Sequence, residues 1–176
     1  MSDFTEIRPG GRPFVKAYLC FMLWFVGRAI QAAARVDTDV KKEFEDLPDG
    51  FTMALAAAPD GPAMIVGKNE NGKVKYMGWK TDGLVLDVKM TIKSIEAFFY
   101  IFTFRESTPV ANARDRLFVE GGLPGACAAV RILDVVQVYL LPKPVAKLAV
   151  KRYPKWSLKK HTYNRAMVYL RTIIGI

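Results

Sequence analysis

The chain has 176 residues, of which 51% are hydrophobic, and its 26 Lys+Arg against 17 Asp+Glu give a formal net charge of +9. This length allows one domain with extensions or at most two small domains. The composition is more apolar than that of a typical soluble domain, so the excess must lie in a large core, a lipid cavity, a membrane contact or a subunit interface. The lone histidine and two distant cysteines exclude a histidine-rich or Cys-x-x-Cys metal site. Cys20 and Cys127 each lie in an apolar run, which favours buried thiols in a reducing compartment over a disulfide.

Residues 13–36 predict an apolar N-terminal helix. Its uncharged run, Ala17–Gly27, would be about 16 Å long as a helix, roughly half of a bilayer core. A longer span would include Arg28, at a cost of about 2.5–3.5 kcal/mol. We therefore expect a helix that packs on the protein body, on a partner subunit or flat on a membrane. A spanning helix and a signal peptide, whose cleavage site Ala32-x-Ala34 would imitate, are the alternatives.

Residues 37–50 are acidic and polar, and they end in the turn sequence Pro48-Asp49-Gly50, which predicts a linker before the compact body. Residues 51–91 then predict four short strands. The first three are the segments 51–58, 63–67 and 73–79. In the fourth, Leu84, Leu86, Val88 and Met90 share one face with a period of two. Four short strands with three tight turns predict an antiparallel meander.

The periodicity then changes to that of a helix. Ser94 suits an N-cap, and Ile95, Phe98, Phe99 and Phe102 fall on one apolar stripe. Thr108-Pro109 predicts the start of a second helix. Residues 117–120 predict a short fifth strand that ends at a glycine pair.

Residues 126–141 predict a third helix, buried on most sides. Its only polar residues, Arg131, Asp134 and Gln137, are spaced by three and predict one narrow line toward solvent. A helix this apolar needs partners beyond one sheet face, and a lipid between sheet and helices would supply them. We therefore expect an α+β fold, with an antiparallel sheet of about five strands and apolar helices packed on one face, enclosing a hydrophobic cavity.

All of the net charge lies in residues 143–176, which hold nine cations and no acid. A C-terminal amphipathic helix is predicted there, with an apolar stripe formed by Tyr163, Ala166, Met167, Leu170, Ile173 and Ile174. Either this stripe packs on the protein while the cations are solvated, or the segment docks on an anionic membrane or on the phosphates of an acyl-CoA. The candidate docking residues are Lys151, Arg152, Lys155, Trp156, Lys159, Lys160 and Arg171. Nucleic acid is the weaker alternative, because the segment carries no RNP-like, zinc or helix-turn-helix signature.

Residues 51–141 resemble the sterol-carrier-protein type (SCP-2-like) lipid-binding domain. The strand and helix LVLDVKMTIKSIEAFFYIF are similar to that family's strand, cap and phenylalanine-bearing helix. LFVEGG and GACAAVRILDVV are similar to its last strand, glycine turn and closing helix. The segment ARDRLF departs from the family, which often has a glycine there, and neither flank has a counterpart. The resemblance implies a non-catalytic domain that encloses a fatty acyl chain, sterol, phospholipid or isoprenoid, and bacterial versions that support lipid or quinone metabolism.

The predicted organisation is an apolar helix and linker at 1–50, a lipid-binding domain at 51–142 and a basic extension at 143–176. We expect a cytoplasmic, peripherally membrane-associated lipid carrier that needs no cofactor or metal. Its N-terminal helix would close the cavity or dip into the membrane. The candidate lipid-lining residues are Met64, Met90, Ile92, Phe98, Phe99, Ile101, Phe102, Val130, Leu133 and Val136. Ordinary core packing explains the same apolar pattern equally well.

Two other classes of function remain open. One is a membrane-tethered scaffold with a solid core, and the other is an enzyme on an acyl substrate. The enzyme is disfavoured because the sequence has no nucleophile elbow or dinucleotide fingerprint. Its one histidine, His161, lies among lysines in the basic tail. The sequence leaves the formation of a homo-oligomer open.

Overall fold

A computed structural model describes residues 12–58, 61–81, 83–103, 105–106, 108–142, 145–146 and 160–175 of the chain. In these ranges the helices are α1 (Pro13–Val36), α2 (Thr38–Glu45), α3 (Ile95–Phe102), α4 (Thr108–Ala113), α5 (Leu123–Leu140) and α6 (Arg165–Ile174). A π-helical turn, Lys160–Asn164, leads into α6. The strands are β1 (Thr52–Ala57), β2 (Ala63–Lys68), β3 (Val74–Gly78), β4 (Val88–Ile92) and β5 (Leu117–Gly121).

The five strands form one mixed sheet in the order β3-β2-β1-β4-β5. All neighbouring pairs are antiparallel except β1 and β4, which are parallel, with Met53 opposite Val88 and Leu55 opposite Met90. The predicted antiparallel meander is therefore wrong for β4, which pairs with β1 instead of β3. A parallel partner requires a long crossover. Here the crossover consists of β2, β3 and the residues up to Asp87. Thr52 holds the end of this crossover, because its amide donates to Asp87 Oδ2 over 2.8 Å and its hydroxyl donates to Val85 O over 2.8 Å.

The start of β4 also differs from its prediction. Residues 84–87 lie outside the strand, and Leu84 is exposed. The alternation holds from Val88 onward, where Val88, Met90 and Ile92 are buried. The apolar pattern thus identifies the buried face correctly, while the strand itself begins where pairing with β1 begins.

The core lies between the sheet and the helices. Met53, Leu55, Met90 and Ile92 of the sheet share one apolar cluster with buried side chains of α1, α2, α3, α5 and α6. The helix α3 begins at the predicted cap, because the Ser94 hydroxyl accepts a hydrogen bond from the Ala97 amide over 3.0 Å. The α+β class, with five strands and apolar helices on the sheet, is confirmed.

The segment predicted as an acidic linker is in part a helix. The Asp37 carboxylate caps α2 by accepting hydrogen bonds from the amides of Asp39 (2.7 Å) and Val40 (3.1 Å). Val40 and Phe44 are buried in the core. A capping aspartate followed by apolar residues four apart is therefore enough to fold this polar stretch onto the body.

Helices α1 and α5 are long and apolar enough, by length and composition alone, to cross a membrane. In this structure α1 contacts α6, α2, β2, β3, α3 and α5. Leu19, Leu23 and Ile30 are fully buried on its inner side, so α1 forms part of the core within the described chain.

The two cysteines differ from their prediction as buried thiols. Both Cys20 and Cys127 are free and exposed. Each follows a buried residue, Leu19 on α1 and Ala126 on α5, and the next helical position turns by about 100° away from the buried side.

Candidate functional site

A cavity of about 240 Å³ lies between α1, α5 and the helical face of the sheet. This volume is close to the lower end of the range for small-molecule sites, about 300–1,000 Å³. Helix α1 contributes Phe21, Met22, Phe25 and Val26, and α5 contributes Val130, Leu133, Asp134, Gln137 and Leu140. The sheet and the segment after β4 contribute Leu55, Met90, Ile92, Ile101, Phe102, Thr108 and Leu117, and Leu141 follows α5. The site is therefore an apolar chamber with three polar side chains in the described part of its wall.

The structure brings six of the ten predicted lining residues to this cavity. They are Met90, Ile92, Ile101, Phe102, Val130 and Leu133. Met64, Phe98 and Val136 are buried in the core away from the cavity wall. Phe99 is half-buried and packs edge-on against the ring of Tyr18, with 5.7 Å between centroids. Contact of any of the ten with a lipid stays a prediction.

The four residues from α1 were absent from the predicted lining. Phe21 and Phe25 are one turn apart on α1, and their rings lie 6.2 Å apart in a stacked arrangement. Their spacing of four was visible in the sequence and placed them on one helix face. It could not show which face would turn toward the sheet, because α1 is apolar on nearly all sides.

The cavity reaches the surface at a rim shared by α1 and α5. Phe21 is 57% exposed and Val130 is 39% exposed, yet both also line the cavity. Two large apolar side chains at an opening give a ligand an apolar path between the chamber and the outside.

The polar line of α5 differs from its prediction. Arg131 faces solvent as expected, and its guanidinium pairs with the Glu43 carboxylate over 2.7 Å. Asp134 and Gln137, however, line the cavity. The rotation of α5 follows from its fully buried residues Ala129, Ile132 and Val136, and it leaves Asp134 and Gln137 against the chamber. The pair between Arg131 and Glu43 contributes little to it, because the Arg131 side chain is 57% exposed.

Both Asp134 and Gln137 are poorly solvated where they line the described wall of the cavity. The Gln137 Oε1 atom is buried and accepts no hydrogen bond in the described part of the chain. Burial raises the pKa of the Asp134 carboxyl above its ordinary value, because the ionised form is poorly solvated there. A buried polar group without a partner costs about 1–3 kcal/mol, so this end of the cavity is suited to a ligand that supplies hydrogen bonds.

The apolar stripe of α6 lies on the outside of the molecule. Tyr163, Leu170, Ile173 and Ile174 are 61%, 53%, 69% and 55% exposed. Val168 and Thr172 are the fully buried residues of α6. The predicted alternative in which this stripe packs on the body is therefore wrong for the described chain.

Polar side chains explain this orientation of α6. Arg165 donates hydrogen bonds to the carbonyls of Tyr139 (2.7 Å), Val138 (3.2 Å) and Leu141, and Tyr169 donates to the carbonyl of Leu140 (2.5 Å). The last carbonyls of a helix have no partner within that helix, so Arg165 and Tyr169 satisfy the end of α5. These contacts hold the polar side of α6 inward and leave the apolar side exposed.

The predicted docking residues lie mostly beyond the described chain. Lys151, Arg152, Lys155, Trp156 and Lys159 are outside the described residues, and the side chain of Lys160 is not described either. Arg171 is half-buried, and its Nε atom has no hydrogen-bond partner among the described residues. Arg171 is thus less available to a membrane than its sequence position suggested.

Within the described ranges, no three histidine, cysteine, aspartate or glutamate side chains come together in a group that could hold a metal ion.

No protein-family model matches the chain, and no curated protein matches it. Among solved structures it is similar to a UbiJ-SCP2 ubiquinone synthesis protein, at 16% identity over 71% of this chain and 97% of that one, with a TM-score of 0.41. It is also similar to sterol carrier protein domain 2 of Helicoverpa armigera, at 18% identity over 73% of this chain and 94% of that one, with a TM-score of 0.40. Apo sterol carrier protein 2 of Yarrowia lipolytica matches at 18% identity over 65% of this chain and 86% of that one, with a TM-score of 0.40. These proteins bear the name of the family that the sequence resembles, the sterol carrier proteins.

Proposed function

We propose that this protein is a lipid-binding carrier that holds a fatty acyl, sterol or isoprenoid chain in the cavity between α1, α5 and the sheet. The observation that carries the proposal is the cavity itself, whose described wall is apolar except for Thr108, Asp134 and Gln137. An apolar chamber in contact with water favours an apolar occupant, because each buried CH₂ group contributes about 0.8 kcal/mol. A few polar groups in such a wall usually fix the orientation of the ligand.

The outer surface near the cavity supports a second part of the proposal, peripheral association with an anionic membrane. The exposed stripe of α6 presents Leu170, Ile173 and Ile174. Helix α6 packs on α1, and the ring of Tyr169 lies 6.3 Å from that of Phe25, which lines the cavity. A membrane that received the apolar stripe of α6 would therefore lie close to the helix that borders the cavity rim.

The charge of residues 143–176 is consistent with this docking mode. A basic segment beside an exposed apolar helix face is typical of interfacial membrane binding, and each cation near an anionic surface contributes about 1 kcal/mol. We propose that the protein works at the cytoplasmic face of a membrane and carries out no covalent chemistry. An accessory role in lipid or quinone metabolism is the corresponding physiological proposal.

Lipid uptake by wild type and by a rim variant tests the carrier proposal. In Val130→Trp the indole would fill the rim, and we expect about a tenfold or greater loss of binding for a fluorescent long-chain alcohol and a fluorescent fatty acid. The matched control is Val119→Trp, since Val119 is 44% exposed on β5 and does not line the cavity. Wild-type protein that bound neither probe would overturn the proposal, and equal loss in both variants would place the binding elsewhere.

The same uptake measurement, extended to an acyl ester, separates the two other classes of function. A scaffold with a solid core would take up no lipid. An enzyme on an acyl substrate would convert a bound acyl ester, so unchanged ester recovered after long incubation would support the carrier.

A further inference from the structure

Helix α5 turns two polar side chains, Asp134 and Gln137, into an apolar cavity. Asp134 and Gln137 are three positions apart, which places them on the same helix face, and both line the chamber. Among the described residues, Gln137 Oε1 is buried without a hydrogen-bond partner. Asp134 is half-buried, and desolvation raises the pKa of its carboxyl above the ordinary value. A buried polar atom in a native protein normally has a partner, so the Gln137 oxygen is best explained by a polar group that arrives with the ligand and lies near the Asp134 carboxyl on the same helix face.

The chemistry of the pair restricts that group. An ionised carboxylate only accepts hydrogen bonds, whereas a carboxamide both accepts and donates them. A hydroxyl group can donate to Asp134 while it accepts from the amide nitrogen of Gln137, or donate to Gln137 Oε1 directly. It satisfies the pair in either orientation of the amide.

The same surroundings disfavour a free fatty acid. The described wall of the cavity contains no lysine, arginine or histidine, and Asp134 is its one titratable side chain. A ligand carboxylate would find no counter-ion there and would lie near a group of like charge.

We propose that the cavity selects a neutral lipid with a hydroxyl headgroup, which sits between Asp134 and Gln137 while the hydrocarbon chain follows the apolar wall. This inference rests on the proposed carrier function and narrows its ligand class to lipid alcohols over free fatty acids.

Competition among three probes of equal chain length tests the inference. In separate titrations at neutral pH, 1-hexadecanol, its methyl ether and palmitate compete with a fluorescent lipid alcohol for the full-length protein. The ether keeps the oxygen and loses the donor, and palmitate exchanges the hydroxyl for a carboxylate. We expect hexadecanol to bind about tenfold or more tightly than either, because a site built to bond a hydroxyl rejects analogues that leave its polar groups unpaired.

Two variants and one control assign the preference to these residues. Asp134→Leu with Gln137→Leu should retain chain binding and reduce the preference for hexadecanol to about twofold or less. Asp134→Asn keeps the size of the side chain and removes its charge, so palmitate should gain relative to hexadecanol even if the double variant folds poorly. Thr91→Val is the control, since Thr91 Oγ1 is another buried atom without a partner among the described residues, but Thr91 does not line the cavity.

The outcomes separate this inference from the carrier proposal. Wild-type protein that bound all three probes equally, or a preference that survived in the double variant, would overturn the inference and leave the carrier proposal standing. A wild type that bound none of the probes or the fluorescent lipid would overturn both.

Discussion

The hydroxyl of Tyr139 donates a hydrogen bond to the carboxylate of Asp37, a residue 102 positions earlier in the chain. Asp37 ends α1 and caps α2, while Tyr139 lies in the last turn of α5. Asn164 and Arg165 add hydrogen bonds from the start of α6 to the Tyr139 hydroxyl and carbonyl. One buried polar cluster therefore joins the two helices that border the cavity to the helix that carries the exposed apolar stripe.

This cluster predicts a stability difference between two tyrosines. Tyr139→Phe leaves the buried Asp37 carboxylate with one hydrogen bond fewer, and should lower the free energy of unfolding by about 1–3 kcal/mol. Tyr18→Phe removes a longer bond, 3.4 Å to Phe102 O, from a partly exposed phenol, and should cost less. Urea unfolding of both variants measures the difference. Equal losses in the free energy of unfolding would show that the buried cluster contributes no more to stability than the exposed hydrogen bond of Tyr18.

The burial of Asp134 predicts a pH-dependent stability change. Its pKa is raised by burial, so its contribution to stability is present below the unfolded value near pH 3.9 and is lost as the pH rises through the folded value. The ionised carboxylate thus opposes folding at neutral pH. Asp134→Asn should therefore raise the free energy of unfolding at pH 7, and this gain should disappear below about pH 4.

Thr91→Val is the control for that measurement, since Thr91 does not line the cavity. It changes a buried polar atom without a titratable group, so its effect on urea unfolding should be the same at both pH values. A pH-independent effect of Asp134→Asn would contradict the assignment of the effect to ionisation of the Asp134 carboxyl.

The exposed stripe of α6 predicts a membrane-binding phenotype. Deleting residues 143–176 would also strip a packed helix from α1, so point variants are the better test. Leu170→Asn with Ile173→Asn should weaken sedimentation with anionic vesicles about tenfold or more, because each inserted side chain contributes about 1.5–3 kcal/mol when fully buried.

Salt and a matched pair of variants complete this test. Raising the salt from about 0.1 M to about 1 M shortens the Debye length from about 10 Å to about 3 Å and should weaken the electrostatic part of the binding. Val85→Asn with Val119→Asn changes two exposed apolar residues away from α6 and should leave binding unchanged. Vesicle binding that was unchanged both at high salt and in the α6 variants would contradict the docking proposal.

Local signals in the sequence were sufficient for most elements. The Ser94 cap and the buried Val88 and Met90 of β4 depend on neighbouring residues, and the structure confirms them. Helix α3 is also present, but of its predicted stripe only Phe98 is buried, beside Ala97 and Ile101. The pairing of β4 with β1 was not predictable in this way. It depends on a crossover that ends in hydrogen bonds from Thr52 to residues more than thirty positions away.

The candidate site shows the same limit more clearly. Hydrophobicity identified six of the residues in the described cavity wall, but the direction of Asp134 and Gln137 depends on which side of α5 packs on the core, where Ile132 and Val136 are fully buried. The direction of the α6 stripe likewise follows from Arg165 and Tyr169, which bond the end of α5. In both helices long-range contacts with the rest of the fold decide which face the apolar pattern presents.

Mass spectrometry of an organic extract from the purified protein tests the carrier proposal most directly. We predict about one long-chain lipid per wild-type chain, close to none in Val130→Trp, and wild-type levels in Val119→Trp. A clean extract from wild type, together with failure to take up the fluorescent alcohol and fatty acid, would contradict the proposal that the cavity carries a lipid.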